Sequence, residues 1–156
     1  MRVNFTTYDM RRSNDVIRPG NHRSNIMMLN PIQSSAGTSV GSYPFCYASV
    51  LGIFHANVFY LGQHNEDLHP RRIDFLWVRW YDLKKAGSWT PQRLDEVHFS
   101  SASDDGSFGF LDPGDILRAC HIIPSFKEGN VFTKDGEGFS QSAQDKNDWN
   151  VYFVNR

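Results

Sequence analysis

Two stretches of this chain leave little choice of fold. The first is Tyr47-Ala48-Ser49-Val50-Leu51-Gly52-Ile53-Phe54-His55-Ala56-Asn57-Val58-Phe59-Tyr60, and the second is Ile73-Asp74-Phe75-Leu76-Trp77-Val78-Arg79-Trp80-Tyr81. Both are too rich in β-branched and aromatic residues for helices and too polar for membrane spans. Leu61 to Arg71 joins them and carries His64, Glu66, Asp67, His69 and Pro70, the composition of an exposed hairpin connection. The two stretches are therefore expected to pair as antiparallel neighbours in one sheet. Side chains alternate along a strand, so Ile73, Phe75, Trp77 and Tyr81 share one face and Leu76, Val78 and Trp80 the other. Apolar residues on both faces predict a strand covered on both sides.

The 156 residues suit one domain spanning 1–156, large enough to bury a core without covalent staples. With 16 Lys and Arg against 17 Asp and Glu, the net charge of −1 argues against a protein that grips nucleic acid over its whole surface. Cys46 and Cys120 are too few for a disulfide scaffold and read as reduced packing residues of an intracellular protein. No apolar run approaches the roughly 20 residues needed to cross a bilayer, and no membrane partner is expected. The stretch from Met1 to Asp9 lacks the apolar core of a signal peptide.

Shorter strands are expected at Val3–Tyr8, Ile26–Leu29, Arg93–Phe99, His121–Pro124 and Val151–Val154. Asp112 reads as a cap with Pro113 in the first turn of a helix of about two turns through Ile116–Cys120. The Ser/Gly/Thr-rich segment 34–42 and the polar, Gly-rich segment 129–147 read as flexible loops. Many short strands, long polar loops and one short helix predict a mostly-β fold, a small barrel or barrel-like sheet.

With those residues in view, the chain resembles the BAH (bromo-adjacent homology) domain, a β-barrel module of chromatin proteins. That family carries an Ala-Arg-Val/Ile-x-x-Ile-Phe strand and, further on, Val-x-Trp-Phe. Ala48 to Phe54 and Val78-Arg79-Trp80-Tyr81 stand in those places, with Ser49 where the family has Arg. Glu96-Val97-His98-Phe99-Ser100 and Ile116 to Ile122 are similar to two later BAH segments. The chain also resembles, over nearly its whole length, a domain of mushroom-forming fungi found in proteins associated with transposable elements. Thr6-Thr7-Tyr8-Asp9-Met10-Arg11-Arg12, Val50 to His55, Phe75 to Trp80, Phe108 to Pro113 and His121 to Phe126 carry that likeness. The two resemblances imply a BAH-like barrel in a nuclear, chromatin- or transposon-associated protein that binds a histone tail or another protein.

The side chains fit binding better than catalysis. Trp77 and Trp80 read as core. Tyr81 and Trp89 flank the polar segment Asp82–Ser88 and could form two walls of a cage for a methylated ammonium, with Asp82 as its acidic wall. Tyr43 and Tyr47 are further candidates for the same pocket. Arg11, Arg12, Arg71 and Arg72 are candidates for a secondary contact with nucleic-acid phosphates, while Arg79, mid-strand between two Trp residues, could be paired internally. His64-x4-His69 lacks a Cys pair or a helical His-x3-His spacing, and no metal or other cofactor is expected. Cys120 and His121, adjacent on a strand, point to opposite faces and cannot act as nucleophile and base. The absence of phosphate-loop, nucleophile-elbow and kinase motifs argues against an enzyme. The expected function is a non-catalytic chromatin, histone-tail or protein-binding module. An assembly domain that reads no mark is the alternative, and a cryptic DNA-processing enzyme using Asp104, Asp105, Asp112 and Asp115 is the third reading.

Overall fold

A computed structural model describes residues 1–7, 9–30, 43–60, 69–87, 93–131 and 140–156. Among them the chain forms ten strands: β1 (Arg2–Thr6), β2 (Arg12–Val16), β3 (Asn25–Leu29), β4 (Phe45–Val58), β5 (Arg71–Lys85), β6 (Asp95–Phe99), β7 (Phe108–Leu111), β8 (Ile116–Ala119), β9 (His121–Pro124) and β10 (Tyr152–Asn155). The two long strands pair antiparallel as the sequence predicts, with Tyr47 opposite Tyr81, Phe54 opposite Phe75 and Ala56 opposite Ile73. The register shifts between Val50 and Gly52 at a bulge, and the half of the ribbon beyond it, largely exposed, forms an arm.

Eight strands form one sheet in the order β8-β3-β4-β5-β6-β10-β9, with β7 also paired to β5. β5 is long enough to hold two neighbours end to end on one edge, β7 along Leu76–Arg79 and β6 along Tyr81–Lys85. β1 and β2 form a separate hairpin. It is tied to β8 where Arg118 lies over the Phe5 ring at 4.0 Å and Asp15 accepts from the Ala119 N–H at 3.0 Å.

The central strands are covered on both faces from Leu76 to Tyr81. The expected cover fails at the outer end, where Ile73 is exposed and Phe75 and Trp77 are only partly buried and join neither core. Ile26, Met28, Ala48, Val50, Leu76, Val78, Leu111 and Ile116 build one core, with Trp80 packed against it. Met27, Tyr47, Val97, Cys120, Tyr152 and Val154 build the other, with Tyr81, Phe99 and Trp149 against it. Full burial of each aliphatic side chain contributes about 1.5–3 kcal/mol, so these two layers dominate the fold's stability. Both cysteines are free, Cys120 buried in the second core and Cys46 half-buried beside the first.

The sheets do not close into the expected barrel. β8 lies at one end of the sheet against the β1–β2 hairpin and β9 at the other. The two cores bury only the middle of the long strands, while their outer ends, with Phe54 and Ile73, stay exposed and unpaired to a closing strand among the described residues. The expected helix at Ile116–Cys120 is also absent. Asp112 does cap Gly114 N–H, at 2.7 Å, and Pro113–Asp115 forms a single 3-10 turn. Ile116 then turns extended and the segment pairs with β3, Ile116 opposite Met28 and Ala119 opposite Ile26. Strand pairing overrides a weak local helix signal there. No helix among the described residues is long and apolar enough to cross a membrane.

β2 and β7 are strands that the polar and Gly-containing sequence conceals. Segment 34–42 and residues 132–139 of segment 129–147 lie outside the described residues. The remainder of the latter is tied down: Asn130 bridges to Trp149, Asp145–Asn147 forms a 3-10 turn, and Asp145 is buried.

Candidate functional site

Three features carry chemistry. The first is centred on Asp95, at the start of β6 and 1% exposed. Tyr47 donates its hydroxyl to Asp95 Oδ2 at 2.5 Å, Tyr43 donates to the same oxygen, and the Gly87 N–H donates to Oδ1 at 2.5 Å. A Cβ at Gly87 would strike the Arg93 carbonyl, which is why glycine stands there. Arg156 reaches back from the end of β10, 3.3 Å from Asp95 Oδ2, with its guanidinium 5.1 Å from the centroid of the Phe45 ring. Burial and the hydrogen bond to Asp95 push the Tyr43 hydroxyl up to about 12 and the Tyr47 hydroxyl well above its ordinary value. Tyr43 and Tyr47, both candidates for the pocket, are thus brought together. Their polar ends are spent on a buried carboxylate, and the cation beside them is the chain's own.

Tyr81 and Asp82 do not form a cage with each other. Tyr81 stacks on Phe99 with centroids 3.9 Å apart, meets Tyr152 edge-on, and donates its hydroxyl to Asn25 Oδ1 at 3.1 Å. It is a core ring, and burial raises its hydroxyl well above the ordinary value. Asp82, the next residue on β5, points to the opposite face, where it is exposed and accepts from the Ser100 hydroxyl. Trp89 lies outside the described residues, as does His64.

The second feature is Arg79, 1% exposed in the middle of β5. Its guanidinium takes Asp148 in a two-point grip at 3.1 and 2.7 Å, donates to the Ser100 carbonyl at 3.2 Å and lies 4.0 Å over the Phe99 ring. Burial raises the Asp148 carboxyl, and the Arg79 hydrogen bonds and charge oppose that rise. This is the internal pairing that the position of Arg79 between Trp77 and Trp80 suggests. The remaining arginines do not form one basic patch. Arg11 is exposed and paired with Asp9 at 3.0 Å, and Arg72 with Asp74 at 2.8 Å. Arg72 shares a cleft of about 520 Å³ with Arg2, between the arm and β1, whereas Arg12 lines a separate one. Arg71 sits opposite Val58 at the arm's far end. No group of three or more His, Cys, Asp or Glu residues suited to a metal occurs among the described residues.

The third feature is the outer arm itself. Phe54 with Phe75, Ala56 with Ile73, Gly52 with Trp77, and Trp77 with Phe110 are cross-strand partners and lie on one face. Phe75 stacks on Phe54 at 5.8 Å and meets Phe110 edge-on at 5.6 Å; Trp77 lies beside Phe108 at 6.0 Å. This aromatic row reaches solvent, with Phe54 47%, Ile73 50% and Phe110 73% exposed. Phe59 and Tyr60, just beyond β4, are exposed as well. The opposite face of the arm carries His55, Asn57, Arg72 and Asp74, with Ile53 at its base, and is mostly polar. A Cβ on Gly52 would collide with the Phe54 ring, so glycine lets that ring lie back along the sheet.

Set against protein-family models, curated proteins and solved structures, the chain matches none. The arm and the Asp95 cluster therefore have to be read from their own chemistry.

Phe54 and Phe75 are hidden in the sequence because they sit in runs that read as buried strand, and Phe110 because β7 itself is concealed. The signal was nonetheless there. From Phe54 to Val58 the strand alternates His55 and Asn57 with Phe54, Ala56 and Val58, a one-sided pattern unlike the doubly apolar Leu76–Tyr81. Phe45, Asp95 and Arg156 carry no comparable signal, since they come together from β4, β6 and the residue after β10.

Proposed function

We propose that this chain is a non-catalytic protein-binding module whose docking surface is the aromatic face of the β4–β5–β7 arm. The observation that carries this reading is the exposure of Phe54, Ile73 and Phe110 together on one side of a rigid ribbon. Contiguous apolar surface of that kind is uncommon on a monomer and marks interaction sites. Water gains from its removal, and two paired strands hold the rings so that binding orders few side chains. The ligand that suits a flat apolar sheet beside an open strand edge is an extended polypeptide with apolar side chains at alternate positions. The BAH-like motifs extend the same proposal to a nuclear setting, with a histone tail among the partners.

Selection of phage-displayed peptides on the immobilised protein tests it. Enriched peptides are expected to alternate apolar and polar residues and to lose binding at least tenfold in Phe110→Ser. Peptides that bind wild type and Phe110→Ser equally, or no enrichment at all, would remove the arm as the docking site. A second reading belongs to the Asp95 cluster, where Arg156 already supplies a guanidinium over Phe45. Methylated and unmodified histone peptides in the same assay separate the two. Binding indifferent to Phe110→Ser but abolished by Asp95→Asn would assign cation recognition to that cluster.

A further inference from the structure

Among the described residues the arm has an open edge as well as an open face. β3 pairs with β4 only as far as Ser49, and the Ser24 carbonyl takes the Val50 N–H at 2.9 Å. From Gly52 to Val58, β4 pairs only with β5 among the described residues. Folded proteins guard such edges with Lys, Pro or inward charges, because an unguarded edge accepts another strand. This one carries none of those guards: Gly52-Ile53-Phe54-His55-Ala56-Asn57-Val58 contains no Lys, Arg, Asp, Glu or Pro.

We infer that this edge pairs antiparallel with the same edge of a second copy, about a two-fold axis through His55. The inference rests on the reading of the arm as a protein-docking surface and names one occupant for it. Three properties of the segment favour an identical partner. With His55 opposite its own equivalent, Phe54 faces Ala56 and Ile53 faces Asn57, so each large apolar side chain meets a smaller or polar one and the pattern repeats from either end. No like charges are opposed among these pairs, and a net charge of −1 for the chain gives little long-range repulsion between copies. In the same register Phe59 of one copy comes opposite Leu51 of the other. Leu51 borders a cleft of about 180 Å³ lined also by Gly20, Asn21, Ser24 and Ser142, which offers the exposed Phe59 ring a place to go.

A two-fold axis normal to the sheet keeps corresponding faces on the same side. The two aromatic rows therefore join into one platform carrying Phe54, Phe75 and Phe110 twice. The polar faces with His55 and Asn57 join on the other side.

Sedimentation equilibrium of the full chain from micromolar to near-millimolar concentration tests the inference, with two variants at the axis. His55 is exposed on the polar face, so changing it leaves both cores untouched. Wild type is expected to shift from one chain mass to two with rising concentration. His55→Lys opposes two ammonium groups and is expected to remain a monomer, with the melting temperature that wild type shows at concentrations where it too is monomeric. His55→Cys is expected to oxidise to a covalent dimer that wild type does not form. A wild type that stays monomeric throughout, or a dimer indifferent to His55→Lys and not captured by His55→Cys, overturns the inference. Peptide selection by a monomeric wild type would leave the arm as a docking surface for other chains. Failure of both experiments would remove the docking reading too.

Discussion

Removing the Asp148 carboxylate should be among the most damaging single changes the protein can suffer, and more damaging than removing its partner Arg79. The side chains of the pair are 2% and 13% exposed, with N–O distances of 3.1 and 2.7 Å. In Asp148→Ala the guanidinium keeps only the Ser100 carbonyl and the Phe99 ring, and its Nε already has no partner. Arginine cannot shed its proton, so the charge stays buried and unpaired. Breaking a buried pair in this way costs about 3–5 kcal/mol, a large share of a domain's stability. For a chain of this size the melting temperature should fall by roughly 6–20 °C. Arg79→Met should cost less, because Asp148 lies nearer the surface, its carboxyl is already raised by burial, and it can take a proton or a water. Arg79→Met with Asp148→Leu should recover part of the loss by leaving neither charge. Urea denaturation of the three variants measures all of this. An Asp148→Ala loss under about 1 kcal/mol, or a larger loss in Arg79→Met, would show that the buried guanidinium does not depend on Asp148.

Alkaline pH should unfold the protein before its buried tyrosines ionise freely. Burial raises Tyr43 and Tyr152 to about 12 and Tyr47 and Tyr81 upward too, so folding favours their neutral forms. Their contribution is complete below the unfolded tyrosine value of about 10 and is lost as pH rises from there through the folded values. Absorbance at the phenolate band, followed with circular dichroism, should show the late tyrosine phase coinciding with loss of structure. Thiol labelling should find two free cysteines on denaturation. In the native state Cys120, which burial holds up at about 12, should react far more slowly than its exposed-thiol rate.

The centre of the fold was legible because its information is local. Alternation in Tyr47–Tyr60 and Ile73–Tyr81 is enough to pair β4 with β5, and the doubly apolar Leu76–Tyr81 is enough to predict two covering layers. What failed depended on distant partners. Ile116–Ala119 has a capped start and no intrinsic bar to a helix turn, and only β3 decides that it becomes a strand. Barrel closure is likewise a question of which edges meet. Tyr81 looked like a pocket wall because a polar segment follows it in the chain. Phe99 and Tyr152, far off in sequence, cover it. Asp95 gathers Tyr43, Tyr47, Gly87 and Arg156 from separate parts of the chain, and no spacing announces that. Exposure of the arm's rings was readable in principle, from the one-sided alternation beyond Gly52.

On the proposed reading, the arm's aromatic face serves binding and not folding. Phe110, 73% exposed, separates those roles most directly. The decisive measurement is Phe110→Ser by urea denaturation alongside its affinity for the peptides selected on wild type. A docking role for the arm predicts a stability change within about 0.5 kcal/mol, as for a surface substitution, together with at least tenfold weaker binding. A stability loss above about 2 kcal/mol with binding unchanged would contradict it.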